Sequence, residues 1–142
     1  MENSIKNVDD FFICYKNAEW EKDISGMIAL YAENVTIFDM WGDKGFCSGL
    51  NDWAKIITEW LSSLDDEKVN VTFEMIEIQE GEAIAFASAI IQYQAIATNN
   101  DLLRSMKNRI TLGFVKVDGL WKVKNQHTSV PIDSNLFGIL DI

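Results

Sequence analysis

The chain carries one histidine, one proline and two cysteines in 142 residues. Cys14 and Cys47 are too few for a disulfide framework and have no close CxxC spacing, so free thiols in a reducing cytoplasm are expected. One histidine and two scattered cysteines make no ligand set for structural zinc, and neither a metal nor another cofactor is expected. Basic residues are scarce as well. Twelve Lys and Arg against 22 Asp and Glu leave a formal net charge of -10, the wrong sign for a nucleic-acid backbone, whose phosphates need Lys and Arg. No apolar run approaches the length of a membrane span. Met1 to Asp10, with Glu2, Asp9 and Asp10, has no basic start followed by a long apolar stretch, so no secretory signal is visible. Nucleic acid and membrane are therefore both unexpected partners.

What is present is a globular composition, 48% hydrophobic and 11% aromatic, enough for one domain over residues 1–142 with a real core. Val8, Phe11, Phe12, Tyr15 and Ala18 or Glu19 recur at helical spacing and predict an amphipathic helix over about Ile5 to Glu19. The acidic run Glu19 to Asp23 reads as solvated surface. Ile24 to Tyr31 reads as a short second helix with Asp23 as its N-cap, followed by a β-rich stretch, Val35 to Asp39, and the loop Trp41-Gly42-Asp43-Lys44-Gly45. A third helix is predicted over Leu50 to Ser63, opened by Asn51 or Asp52. From Lys68 the period changes to two. Glu80-Gly81-Glu82 turns into a strand over Ala83 to Thr98, Asn99-Asn100-Asp101 turns into Leu102 to Val117, and Asp118-Gly119 is a strong hairpin signal before the last strand. Helices first and an antiparallel meander afterwards predict an α+β domain, three helices on one face of a curved, mostly antiparallel sheet.

Alternation along the last strand puts Trp121, Val123, Asn125, His127 and Ser129 on one face, so an imidazole and a hydroxyl are expected where the tryptophan points. They either line a polar pocket or satisfy each other in a structural corner. Arg109 and Thr111 share a face of the preceding strand by the same rule. Trp41, in the loop after Asp39, is the tryptophan expected at a cavity mouth. Phe38, Phe86, Phe114, Met27, Met75 and Met106 are expected to wall the cavity and to suit a flat apolar molecule.

Ala29 to Asp39, the small-residue pattern in Glu82 to Ala87, the triplet Arg109-Ile110-Thr111, and Asp118 to Val123 closing on His127 to Pro131 together resemble the nuclear transport factor 2-like superfamily. The cystatin-like fold is its other name, and the SnoaL-like and ketosteroid isomerase-like proteins are the nearest resemblance within it. The resemblance implies a cone, a bent sheet wrapped around a long N-terminal helix, with an apolar cavity open at one end. It also implies a homodimer through the outer face of the sheet. Asp39 stands eight residues after Tyr31 and Tyr15 sixteen before it, where ketosteroid isomerase places its general base and its oxyanion tyrosine. A second, acidic oxyanion donor would fall at Thr111 by spacing back from Gly119, and threonine is a weaker donor.

Two readings of function follow. In one, the chain is a SnoaL-like isomerase, cyclase or dehydratase acting by proton transfer on an apolar carbonyl compound. Asp39 is then the base, Tyr15 a donor and His127 an acid or base, with Arg109, Thr111, Trp41, Ser129 and Phe86 contacting substrate. In the other, it is a non-catalytic ligand-binding or dimeric assembly module on the same fold, with Asp39 capping the Trp41-Gly42 loop.

Overall fold

The computed structural model describes residues 4–42 and 44–140; residues 1–3, Asp43 of the expected loop and residues 141–142 lie outside them. In chain order the elements are α1 (Asp10–Glu21), α2 (Ile24–Ile28), β1 (Tyr31–Phe38), β2 (Phe46–Ser48), α3 (Leu50–Ser62), β3 (Lys68–Glu80), β4 (Ile84–Ile96), β5 (Leu102–Val117) and β6 (Leu120–Ser129). The six strands form one open sheet in the order β2-β1-β6-β5-β4-β3. All neighbours are antiparallel except β1 and β6, which run parallel, so the sheet is mixed. This is the α+β architecture that the change of period from helical to two predicts.

Local chemistry explains most element boundaries. α1 begins later than the apolar spacing predicts, because Ile5 forms an isolated bridge to Trp121, whose N–H donates to the Ile5 carbonyl at 2.8 Å. Asp23 caps α2 as expected, its Oδ1 accepting from the Gly26 N–H at 3.0 Å. That helix stops at Ile28 and Tyr31 opens β1, earlier than the predicted strand. α3 starts from Gly49, with no side-chain cap from Asn51 or Asp52. Asp118 and Gly119 take φ values of 51° and 81°, the left-handed pair that a two-residue hairpin with native twist requires.

The helices cover one face of the sheet, termed inner here. Phe11 and Phe12 of α1 meet Phe114 and Phe73 edge-on, with centroids 5.6 and 4.9 Å apart. Ala85, Ala87 and Ala89 on β4 are buried on this face, and their small side chains leave room for close packing. Ile84 and Phe86 point the other way. Phe38, Met75 and Phe86 are exposed, so they do not wall an interior as the composition had implied; Phe114, Met27 and Met106 do face it. Bulges or irregularities shift the register of β1 with β6, β3 with β4, β4 with β5 and β5 with β6; on β3 the extra residue lies between Glu74 and Glu77, and on β6 opposite the Gly113–Phe114 step.

Candidate functional site

The β6 bulge decides which side chains reach the interior. Gly113 pairs with Asn125 and Phe114 with Val123, so Lys124 is an extra residue with no partner on β5. One inserted residue moves everything after it to the opposite face. Trp121 and Val123 are buried on the inner face before it, and Gln126 and Thr128 after it, while His127 turns outward. On β5 the buried set Asn108, Ile110, Leu112 and Phe114 leaves Arg109 and Thr111 outside, opposite Ser129 and His127. The expected convergence of Arg109, Thr111, His127 and Ser129 on a pocket is therefore corrected. All four lie on the outer face with Phe86, and the His127 ring packs against Phe38 at 5.5 Å.

A cavity of about 580 Å³ opens between α1, α3 and the inner face. This volume is suited to a small organic ligand. Tyr15, Asp39 and Trp41 line it. Its walls are mostly apolar, including Met27, Trp53, Ile57, Trp60 and Met106, and against them stand a few polar groups. Trp41 sits half-exposed at the mouth.

Asp39 follows β1 and is held from β6. Its Oδ1 accepts from the Thr128 hydroxyl at 3.1 Å and more weakly from the Trp41 N–H at 3.4 Å. The same Thr128 oxygen accepts from the Met40 N–H at 3.2 Å. The loop closes behind Asp39 through its N–H, which donates to the Gly45 carbonyl at 2.9 Å. Gly45 is required twice over. Its φ is +61°, and a Cβ there would stand 2.9 Å from the Asp39 carbonyl oxygen.

Deeper in the cavity, the Tyr15 and Tyr93 hydroxyls share a 2.8 Å hydrogen bond, and the Tyr31 hydroxyl donates to Gln126 Oε1 at 2.6 Å. Burial is the main cause that raises the pKa of Tyr15, Tyr31 and Tyr93 above the ordinary tyrosine range, so all three remain protonated. One of the two protons on the Tyr15–Tyr93 pair is consumed between the hydroxyls, which leaves the other free for donation.

For Glu19, read both as an alternative to Ala18 on the α1 stripe and as part of a solvated acidic run, the structure decides for the stripe. Glu19 is 2% exposed and lines the cavity, one helical turn beyond Tyr15. Burial pushes its carboxyl up to about 8, an effect that the nearby Tyr15 hydroxyl partly offsets. Among the described residues, the buried side-chain polar atoms without a hydrogen-bond partner are Glu19 Oε2, Asn108 Oδ1, Trp53 Nε1 and Trp121 Nε1. The first three belong to residues that line this one cavity. Helical spacing carried a signal for Glu19, since Phe11, Tyr15 and Glu19 are four residues apart on the buried stripe of α1. For Asn108 the signal was the alternation Ile110-Leu112-Phe114 read backwards.

The model of the SnoaL-like domain family matches residues 8–133. Among curated proteins, no sequence matches the chain. Solved structures share the fold at low identity. A nuclear transport factor 2-like protein of unknown function from Pseudomonas putida KT2440 is 18% identical with a TM-score of 0.82, over 95% of this chain and 92% of that one. A candidate scytalone dehydratase from Novosphingobium aromaticivorans DSM 12444 is 16% identical, TM-score 0.73, over 95% and 90%. A protein of unknown function with a cystatin-like fold from Nostoc punctiforme PCC 73102 is 15% identical, TM-score 0.66, over 90% and 93%.

Proposed function

The chain belongs to the SnoaL-like domain family, and from that premise we propose that its cavity binds a small, largely apolar carbonyl compound and moves a proton on it. One observation carries the reading: the Asp39 carboxylate and the protonated Tyr15–Tyr93 pair line the same apolar cavity. In the proposed step, Asp39 takes a proton from the carbon next to the carbonyl. The electron pair of that C–H bond becomes the enolate double bond, and charge collects on the oxygen, which accepts a hydrogen bond from the tyrosine pair. Return of the proton to a different carbon gives isomerisation. Loss of a hydroxyl one carbon further, which leaves as water with the proton that Asp39 took, gives dehydration, the reaction for which the Novosphingobium protein is named.

A second reading, a ligand binder without turnover, is favoured by one observation. Asp39 Oδ1 also accepts from the Trp41 N–H, as a carboxylate that caps its own loop would. Deuterium wash-in separates the two. 2-Tetralone, a fused-ring ketone with exchangeable protons beside its carbonyl, is incubated with the protein in D2O and followed by NMR. The protein should accelerate exchange over buffer, and Asp39→Asn should remove roughly 10²- to 10⁴-fold of that acceleration, the usual contribution of a positioned base. Exchange no faster than in buffer leaves the binder.

The proposal includes a homodimer through the outer face of the sheet. Phe38, Phe46, Ile84 and Phe86 are exposed there, and apolar side chains grouped on one face are a common mark of a protein contact.

A further inference from the structure

The interior polar group that neither the family match nor the proton-transfer scheme assigns is Glu19. Its carboxyl is enclosed close to the Tyr15 hydroxyl, and its Oε2 has no partner although almost no solvent reaches it. An unpaired buried polar atom is costly, and more so if it is charged. Such an atom is best explained where a ligand completes it. We propose that Glu19, as a neutral carboxylic acid, donates a hydrogen bond to the carbonyl oxygen of an uncharged ligand and so makes the cavity selective for ketone-type molecules over hydrocarbons of the same shape. The inference rests on the reading that the cavity takes a carbonyl compound, and it adds the group that recognises the carbonyl.

Burial favours the neutral acid and outweighs the Tyr15 hydroxyl, which acts the other way. Tyr15 on α1, Tyr31 on β1 and Tyr93 on β4 face Glu19, all three uncharged. Asp39 lines the same cavity and carries no positive charge to offer Glu19. Among the described residues, the one cation on the lining, Arg104, is already held by Glu67, Nη2 to Oε2 at 2.6 Å. With its carboxyl raised to about 8, Glu19 keeps its proton at neutral pH. A carboxylic acid also has an acceptor oxygen, so the Tyr15–Tyr93 proton and the Glu19 proton can both point at ligand oxygen without competing.

The test measures binding, not turnover, with 2-tetralone and with tetralin, the hydrocarbon of the same ring frame. Affinities are taken by calorimetry at about pH 6 and about pH 9.5, on either side of the Glu19 titration. The wild-type protein should prefer the ketone at the lower pH, and that preference should fall by roughly tenfold at the higher pH, the worth of one hydrogen bond to a buried donor. Glu19→Gln keeps an N–H donor and should retain the preference at both pH values, whereas Glu19→Leu should show only the weaker preference left by the tyrosine pair, unchanged by pH. Equal affinities for ketone and hydrocarbon in the wild type, including no binding of either, overturn the inference. So does a preference that does not change with pH. Asp39→Asn should retain the ketone preference. Retention of a pH-dependent preference with no deuterium exchange would therefore sink the proton-transfer scheme and leave Glu19 as the carbonyl-recognising group.

Discussion

Glu19 and Asp39 are two carboxyl groups on one cavity with different surroundings. Asp39 stands near the mouth and is tethered by the Thr128 hydroxyl; Glu19 is enclosed, and its desolvation favours the protonated form. The difference has a sign that stability can report. The folded-state value of Glu19, about 8, lies above its ordinary 4.5, so the native protein holds a proton that the unfolded chain releases. The stabilisation from that proton is complete below the ordinary value and is lost as pH rises through about 8. Glu19→Gln removes the titration. Its melting temperature should match or fall slightly below that of the wild type at about pH 4.5 and exceed it at about pH 9. Parallel melting curves across that range would show that Glu19 is not buried as described. Both residues could be found in the sequence, but by different signals. Asp39 was found by its spacing from Tyr31. Glu19 was hidden by its neighbours, because Glu21 and Asp23 made the segment look uniformly solvated although helical spacing put Glu19 under the stripe of Phe11 and Tyr15.

At the level of elements, the bulge at Lys124 is what separates the expected site from the observed one. Strict alternation from Trp121 leads to His127 and Ser129; with one residue inserted it leads to Gln126 and Thr128, which hold Tyr31 and Asp39. A bulge of this kind leaves no strong mark in the local sequence, since Lys124 is flanked by ordinary strand residues. Inserting one alanine between Asn125 and Gln126 should shift the alternation by one residue and drive His127 inward, stranding the Tyr31 hydroxyl and the Asp39 carboxylate without their partners. The expected loss is roughly 2–6 kcal/mol in denaturant melts, about 1–3 kcal/mol for each stranded group, or failure to fold. Deleting Lys124, which removes the inserted residue itself and keeps Gln126 and Thr128 inward, should cost clearly less. Similar effects of the two changes would mean that the bulge does not set the register.

At the level of the whole molecule, the outer face gathers what the inner face excludes. His127, Arg109, Thr111 and Ser129, first read as pocket residues, lie there beside exposed Phe38, Phe46 and Phe86. If this face joins two copies, Phe86→Glu, which puts a charge on a chain already at -10, should shift the protein from dimer to monomer in sedimentation while the far-UV spectrum stays unchanged. A wild type that sediments as a monomer would remove the interface from the proposal. The sequence by itself determined the helix-then-meander order, the hairpin at Asp118-Gly119 and the alanine-lined face of β4. These rest on local periodicity and turn chemistry, which a linear reading contains. The tertiary structure alone decided that Gln126, Thr128 and Asn108 face inward, and that Glu19 is buried. The physical reason is that strand facing depends on cross-strand register, and the state of a carboxyl depends on what surrounds it; both are set by residues far away in the chain.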